Sequence, residues 1–186
     1  MSTDPFAPIA PHLKTSYKIP LYLKEKTWSL SGDSGSVKDE NGNIVFKVDA
    51  KRMSLSQRRD LVDANGNIVG QLRRKKSPAL HKALYIGTPD DEKHCMVKLK
   101  GTFNITTCDA DIYLGDEVIG EVSGNWRAKE YSIKVNDTVI ADAKRKRTTA
   151  STFMGADSYC IEIEKGVDTA FVTLITLAFD EMYNDK

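Results

Sequence analysis

Between Ala170 and Phe179 the chain carries no charged residue, and the stretch from Asp168 to Tyr183 reads as a helix that is apolar nearly all the way round. Such a run is too short to cross a bilayer, which needs about 20 residues, so the helix must be enclosed by protein. Asp168 is placed to cap its N-terminus, where the first amide hydrogens lack partners. One polar stripe departs from the apolar pattern: Thr169, Thr173 and Thr176 recur at i, i+4 and i+7 and are continued by Asp180. Hydroxyls that bond back to carbonyls one turn earlier would satisfy the stripe without an outside partner.

What encloses the helix is written upstream as short β-like runs broken by turn signals. The phrase Asp39-Glu40-Asn41-Gly42-Asn43-Ile44-Val45 returns as Asp63-Ala64-Asn65-Gly66-Asn67-Ile68-Val69, and Asn-Gly supplies the positive φ angles of a tight hairpin turn. Weaker versions turn at Gly115-Asp116 and Asn136-Asp137. The runs number roughly twelve, more than one open sheet carries before it curls or splits. With 186 residues there is room for one sizeable core. The expectation is a mainly β fold: a closed antiparallel barrel of about twelve strands around one buried hydrophobic C-terminal helix, which replaces a second layer.

Four of the six prolines, Pro5, Pro8, Pro11 and Pro20, fall in residues 1–20, which therefore read as an extended arm packed along a barrel domain of residues 21–186. The PxxP spacing there lacks the flanking basic residue that aromatic-groove ligands carry. Cys95, Cys108 and Cys160 are widely spaced, without a CxxC pair, and read as reduced thiols. The first residues show neither a secretory signal nor a transit peptide, so a cytoplasmic location is expected, with the sequons at Asn104 and Asn136 unused.

The phrases Asn67-Ile68-Val69-Gly70-Gln71-Leu72 followed by Arg73 to Lys76, then Gly124-Asn125-Trp126, and above all Val167-Asp168-Thr169-Ala170-Phe171 with Asp180-Glu181 closing the helix, resemble the LURP-one-related proteins. The resemblance runs from about Leu21 to Tyr183, and the phrases keep the family's order. It implies the tubby C-terminal-like superfamily, which also holds tubby and the phospholipid scramblases, and with it a twelve-stranded barrel around a hydrophobic C-terminal helix. Plant members of the family are associated with pathogen defence, tubby binds phosphoinositides through basic residues on its barrel, and scramblases act on membranes. Kinship of fold transfers none of these activities by itself.

A formal net charge of +1 conceals a polarised chain. From Lys51 to Lys82 nine basic residues face Asp60 and Asp63, whereas from Ser151 onward Lys165 and Lys186 face seven acids. Two clusters, Arg73-Arg74-Lys75-Lys76 and Lys144-Arg145-Lys146-Arg147, each follow an expected strand and should emerge at a barrel rim, where they are the candidate lipid- or anion-binding residues. Placed on one side of the barrel they would form one patch. The plainer alternative is that they are solvated strand ends whose charge blocks edge-to-edge association. Nucleic acid is disfavoured, because aromatic residues for base stacking do not interleave with the charges.

No HExxH, GxSxG, Walker or GxGxxG motif occurs, His94 and Cys95 point to opposite faces of a strand, and no catalytic residue, metal site or cofactor is expected. Trp28 and Trp126 are read as packing residues. The sequence thus suggests a non-catalytic, monomeric binding or adaptor domain acting in signalling or in a stress or defence response. Its expected partner is anionic phospholipid or phosphoinositide at a membrane periphery, and the alternative is a protein-interaction scaffold with no lipid contact.

Overall fold

In the computed structural model the structure describes residues 8–24, 35–50, 58–75, 83–100, 109–145 and 158–184. Twelve strands follow one another as β1 (Ile19–Lys24), β2 (Gly35–Lys38), β3 (Ile44–Ala50), β4 (Arg59–Asp63), β5 (Ile68–Arg74), β6 (Ala83–Gly87), β7 (Cys95–Leu99), β8 (Ala110–Leu114), β9 (Glu117–Asn125), β10 (Glu130–Val135), β11 (Thr138–Lys144) and β12 (Ser158–Ile163). Each pairs antiparallel with its sequence neighbours, and β1 closes on β12 from Ile19 opposite Ile163 to Lys24 opposite Ser158. The expected closed barrel is present, and closure leaves no unpaired strand edge.

The helix α1 (Thr169–Asn184) runs through the middle. Every residue from Thr169 to Met182 is buried, so the apolar run finds its partners among the inward side chains of the strands. Phe46, Leu61, Leu72, Ile86, Ile112 and Ile133 of the strands form one buried apolar cluster with Phe171, Leu174 and Phe179 of the helix. The helix packs most closely on β5, β6 and β7. Gly70 permits that approach: a Cβ there would stand 2.5 Å from Leu174 Cδ1 and 2.8 Å from Ile9 Cδ1.

Strand direction alternates, so all odd strands end, and all even strands begin, at one rim. Because β12 leads directly into α1, the helix starts at the other rim and ends at this one. The helix-start rim bears the tight turns. Asp39 Oδ1 accepts the amides of Asn41 and Asn43 at 2.9 and 2.8 Å, and Asp63 Oδ1 holds Asn65 and Asn67 at the same distances. Gly42 and Gly66 sit at φ +83° and +89°, so the repeated phrase folds into the same turn twice.

The arm crosses the helix-start rim. Residues Pro11–Leu13 form one 3-10 turn, and Ile9 and Ala10 donate to Asp168 Oδ2 at 2.9 and 2.7 Å. Asp168 Oδ1 caps the helix by accepting from Ala170 at 2.9 Å and Phe171 at 3.2 Å, as the sequence leads one to expect. Burial raises its carboxyl above the ordinary range, against the pull of the four amide donors.

The threonine stripe behaves only partly as expected. Thr173 bonds back to the Thr169 carbonyl at 2.7 Å, but Thr169 donates instead to Leu13 of the arm, and the Thr176 hydroxyl is buried without a hydrogen-bond partner among the described residues. Thr169 is the first residue of the helix, so no helical carbonyl lies one turn before it and the arm supplies the acceptor.

Candidate functional site

The two sequence-predicted clusters end β5 and β11, both odd strands, so both reach the helix-end rim. They do not fall on one side: with five strands between them in either direction they stand halfway round a twelve-stranded barrel. At about 4.8 Å per strand, widened by tilt, that separation is on the order of 20–25 Å. One small anion cannot touch both.

Within the first cluster, strand alternation splits the charges. Gly70 and Leu72 face the helix, and Arg74 shares their face, where its Nη2 lies 3.6 Å from Glu181 Oε1. Arg59, at the start of β4, adds a second guanidinium 3.5 Å from the other oxygen of Glu181. Arg73 points outward and pairs with Glu92, which the 88–94 connection folds back along the barrel wall. Lys75 is exposed, with its ammonium 5.7 Å from the centroid of the Tyr85 ring. In the second cluster Lys144 pairs with Glu162 at 3.0 Å and Arg145 is exposed. Lys76, Lys146 and Arg147 lie outside the described residues, as do Cys108 and Trp28. Arg73, Arg74 and Lys144 each thus meet a carboxylate of the chain itself.

The helix-end rim also holds a buried polar centre that sequence reasoning missed. Asp180 Oδ1 accepts from Trp126 Nε1 at 2.8 Å and from Lys129 Nζ at 2.9 Å, and Tyr159 donates its hydroxyl to Oδ2. The Lys129 ammonium also stands 4.1 Å from the centroid of the Trp126 ring and 5.1 Å from that of Tyr159. Burial, with the Asp180 charge added, pushes the phenols of Tyr131 and Tyr159 well above their ordinary value, so both stay protonated. Trp126 stacks on Tyr183 at 5.3 Å, closing the aromatic layer above Phe179. Trp126 thus packs, as expected, and also donates.

Asp180 is satisfied on both oxygens by Trp126, Lys129 and Tyr159, so these enclosed groups fasten the end of the helix. The thiol of Cys95, buried and donating to the Tyr113 carbonyl at 2.9 Å, is pushed up to about 12 by that burial and stays neutral. Among the described residues no group of His, Cys, Asp and Glu could hold a metal ion, and no helix is long and apolar enough to cross a membrane.

Charge is unevenly distributed along the barrel axis. Lys75, Arg127, Lys144 and Arg145 are exposed at the helix-end rim beside exposed Asp49 and Glu130, and Arg127 has no ion-pair partner among the described residues. The connections at the helix-start rim carry Asp39-Glu40, Asp90-Asp91-Glu92, Asp116, Asp137 and Glu164, with Lys93 and Lys165 among them and Lys14 and Lys18 in the arm that crosses the rim, where Lys18 pairs with Glu164. The exposed large apolar side chains of the described residues, Tyr17, Ile44, Ile68, Leu114, Val118 and Val139, also sit at that acidic rim.

A profile of the LURP-one-related family matches residues 19–180. Among curated proteins of Arabidopsis thaliana, the chain is similar to protein LURP-one-related 15, at 27% identity over 185 residues, covering 94% of this chain and 84% of that protein. It is similar to protein LURP-one-related 10 at 26% identity, covering 94% and 95%, and to protein LURP1 at 24% identity, covering 87% and 83%. An X-ray structure of a protein from Arabidopsis thaliana shares the fold with a TM-score of 0.65 at 21% identity, over 92% of this chain and 95% of that one.

Proposed function

The chain belongs to the LURP-one-related family, and on that premise we propose that it is a non-catalytic binding domain of the cytoplasm that docks, helix-end rim first, on an anionic phospholipid surface in a signalling or stress response. The observation that carries this reading is the uneven distribution of charge along the axis: exposed Lys75 and Arg127, with Lys144 and Arg145 across the barrel, stand at one rim, and the acidic turns crowd the other. An anionic plane would orient such a molecule as well as attract it. The separation of the two clusters favours an extended surface over a single headgroup, because a plane meets both sides of the rim at once. Each basic residue close to an anionic membrane contributes on the order of 1 kcal/mol, so three of them give a weak, reversible and salt-sensitive association.

Co-sedimentation with vesicles of neutral lipid, of phosphatidylserine and of phosphoinositide, at low and high salt, tests the proposal. The expected result is pelleting with both anionic vesicles that high salt suppresses and that the triple variant Lys75→Glu, Arg127→Glu, Arg145→Glu abolishes while the barrel stays folded. Pelleting with neither anionic vesicle overturns it and leaves the protein-interaction scaffold as the better reading.

A further inference from the structure

The rim turned away from the basic clusters carries a cleft of about 480 Å³ between the arm, the turn leading into β5 and the connection after β6. Its walls are Ile9, Ala10 and His12 on one side and Asn67, Ile68 and Val69 on the other, with Thr88 to Asp90 closing the end. We propose that this cleft docks a segment of a partner protein in which lysine or arginine side chains alternate with aliphatic ones. The proposal stands apart from the membrane reading and uses the opposite face of the barrel.

Charge selects the cationic half of that chemistry. The cleft is lined by the carboxylates of Asp63 and Asp90 and by no lysine or arginine. Asp90 is exposed and makes no ion pair among the described residues. Asp63 is held below the usual carboxylate range by the side-chain amide of Asn67 and by backbone amides of its own turn, so it is charged at neutral pH. Acidic turns continue round the rim on both sides, which gives an approaching cation a favourable field and a wrong partner a repulsive one.

Apolar side chains select the other half. Ile68 is 40% exposed at the cleft, and Ile44, two strands along the same rim and outside the cleft lining, is 40% exposed as well. The distance from β3 to β6 is about three strand spacings, or roughly 15 Å, which matches four or five residues of extended chain. A closed barrel offers no edge for strand addition, so recognition here must run through side chains of the rim. The floor of the cleft is firm, because Ile9 packs through to Gly70 and Leu174 of the core.

The test uses the full chain labelled for amide NMR and titrated with an eight-residue peptide of alternating lysine and leucine, beside control peptides alternating glutamate with leucine and lysine with serine. The expected result is saturable shifts confined to residues 9–12, 67–70 and 88–90 with the lysine–leucine peptide, and affinity lowered about tenfold by Asp90→Lys and by Ile68→Asp. Both substitutions fall on exposed positions, and the unchanged remainder of each spectrum reports that the variants fold. Equal binding of the lysine–serine peptide, non-saturating shifts all round the acidic rim, or indifference to either substitution would overturn the proposal.

Discussion

The ammonium of Lys129 lies 2.9 Å from Asp180 Oδ1, and the two side chains are 5% and 0% exposed. Lys129 holds this position from a left-handed backbone, φ +56°, at the end of the turn that joins β9 to β10. A non-glycine residue adopts that conformation at a cost, which the pair offsets together with the bond the Lys129 amide donates to the Trp126 carbonyl at 3.0 Å. Removing either partner leaves the other charged and buried. Lys129→Met and Asp180→Leu are each expected to lower stability by about 3–5 kcal/mol in urea denaturation. The double variant should recover at least about 1 kcal/mol relative to the sum, and strict additivity would show that the two residues do not act as a unit.

At the opposite end, one carboxylate holds two elements together, and its two oxygens have separable roles. Asp168→Asn keeps an oxygen for the amides of Ala170 and Phe171, but it turns an NH2 group toward the donors of Ile9 and Ala10. The helix should therefore stay capped while the arm lets go. Hydrogen exchange is expected to quicken at Ile9 and Ala10 with Ala170 and Phe171 still protected. Asp168→Ala should expose both sets and cost about 2 kcal/mol or more.

The barrel and its enclosed helix were legible because their signals are local: an uncharged run at Ala170 to Phe179, and Asn-Gly turns that recur with the same flanking aspartate and asparagine. The site was not, and Arg74 shows why. Arg73 to Lys76 reads as one charge run, yet Leu72 is a core position and the two-residue period of a strand puts Arg74 on the same inward face. That signal was present and outweighed by the look of the cluster. Asp180 likewise announces that an enclosed carboxylate needs a cation. Lys129, 51 residues away, is identified only by the tertiary structure.

The same parity gives a paired expectation. Arg74→Ala removes one of two guanidiniums from Glu181, which is 4% exposed, and should destabilise the chain by about 1–2 kcal/mol although Arg74 itself is only partly buried. Lys75→Ala should leave stability within about 0.5 kcal/mol, since its neighbour on the outside is a ring and not a carboxylate. Thermal melts of the two variants side by side check this, and equal losses would place Arg74 on the surface after all.

The repeated turn makes a pH dependence that can be assigned to one residue. Asp63 is held below its ordinary value of 3.8 chiefly by the side-chain amide of Asn67, then by the backbone amides of Asn67 and Asn65. A carboxyl depressed in the folded state binds fewer protons there than in the unfolded chain. It therefore contributes stability that is complete above 3.8 and is lost as pH falls through the lower folded value. Asp63→Ala should show its full deficit against the native chain at neutral pH, and the deficit should shrink as denaturation is repeated from about pH 5 down to about pH 2.5. Other carboxyls titrate over the same range in both proteins and cancel in the difference. A deficit that stays constant to the lowest pH would mean that the turn uses the shape of the aspartate side chain and not its charge.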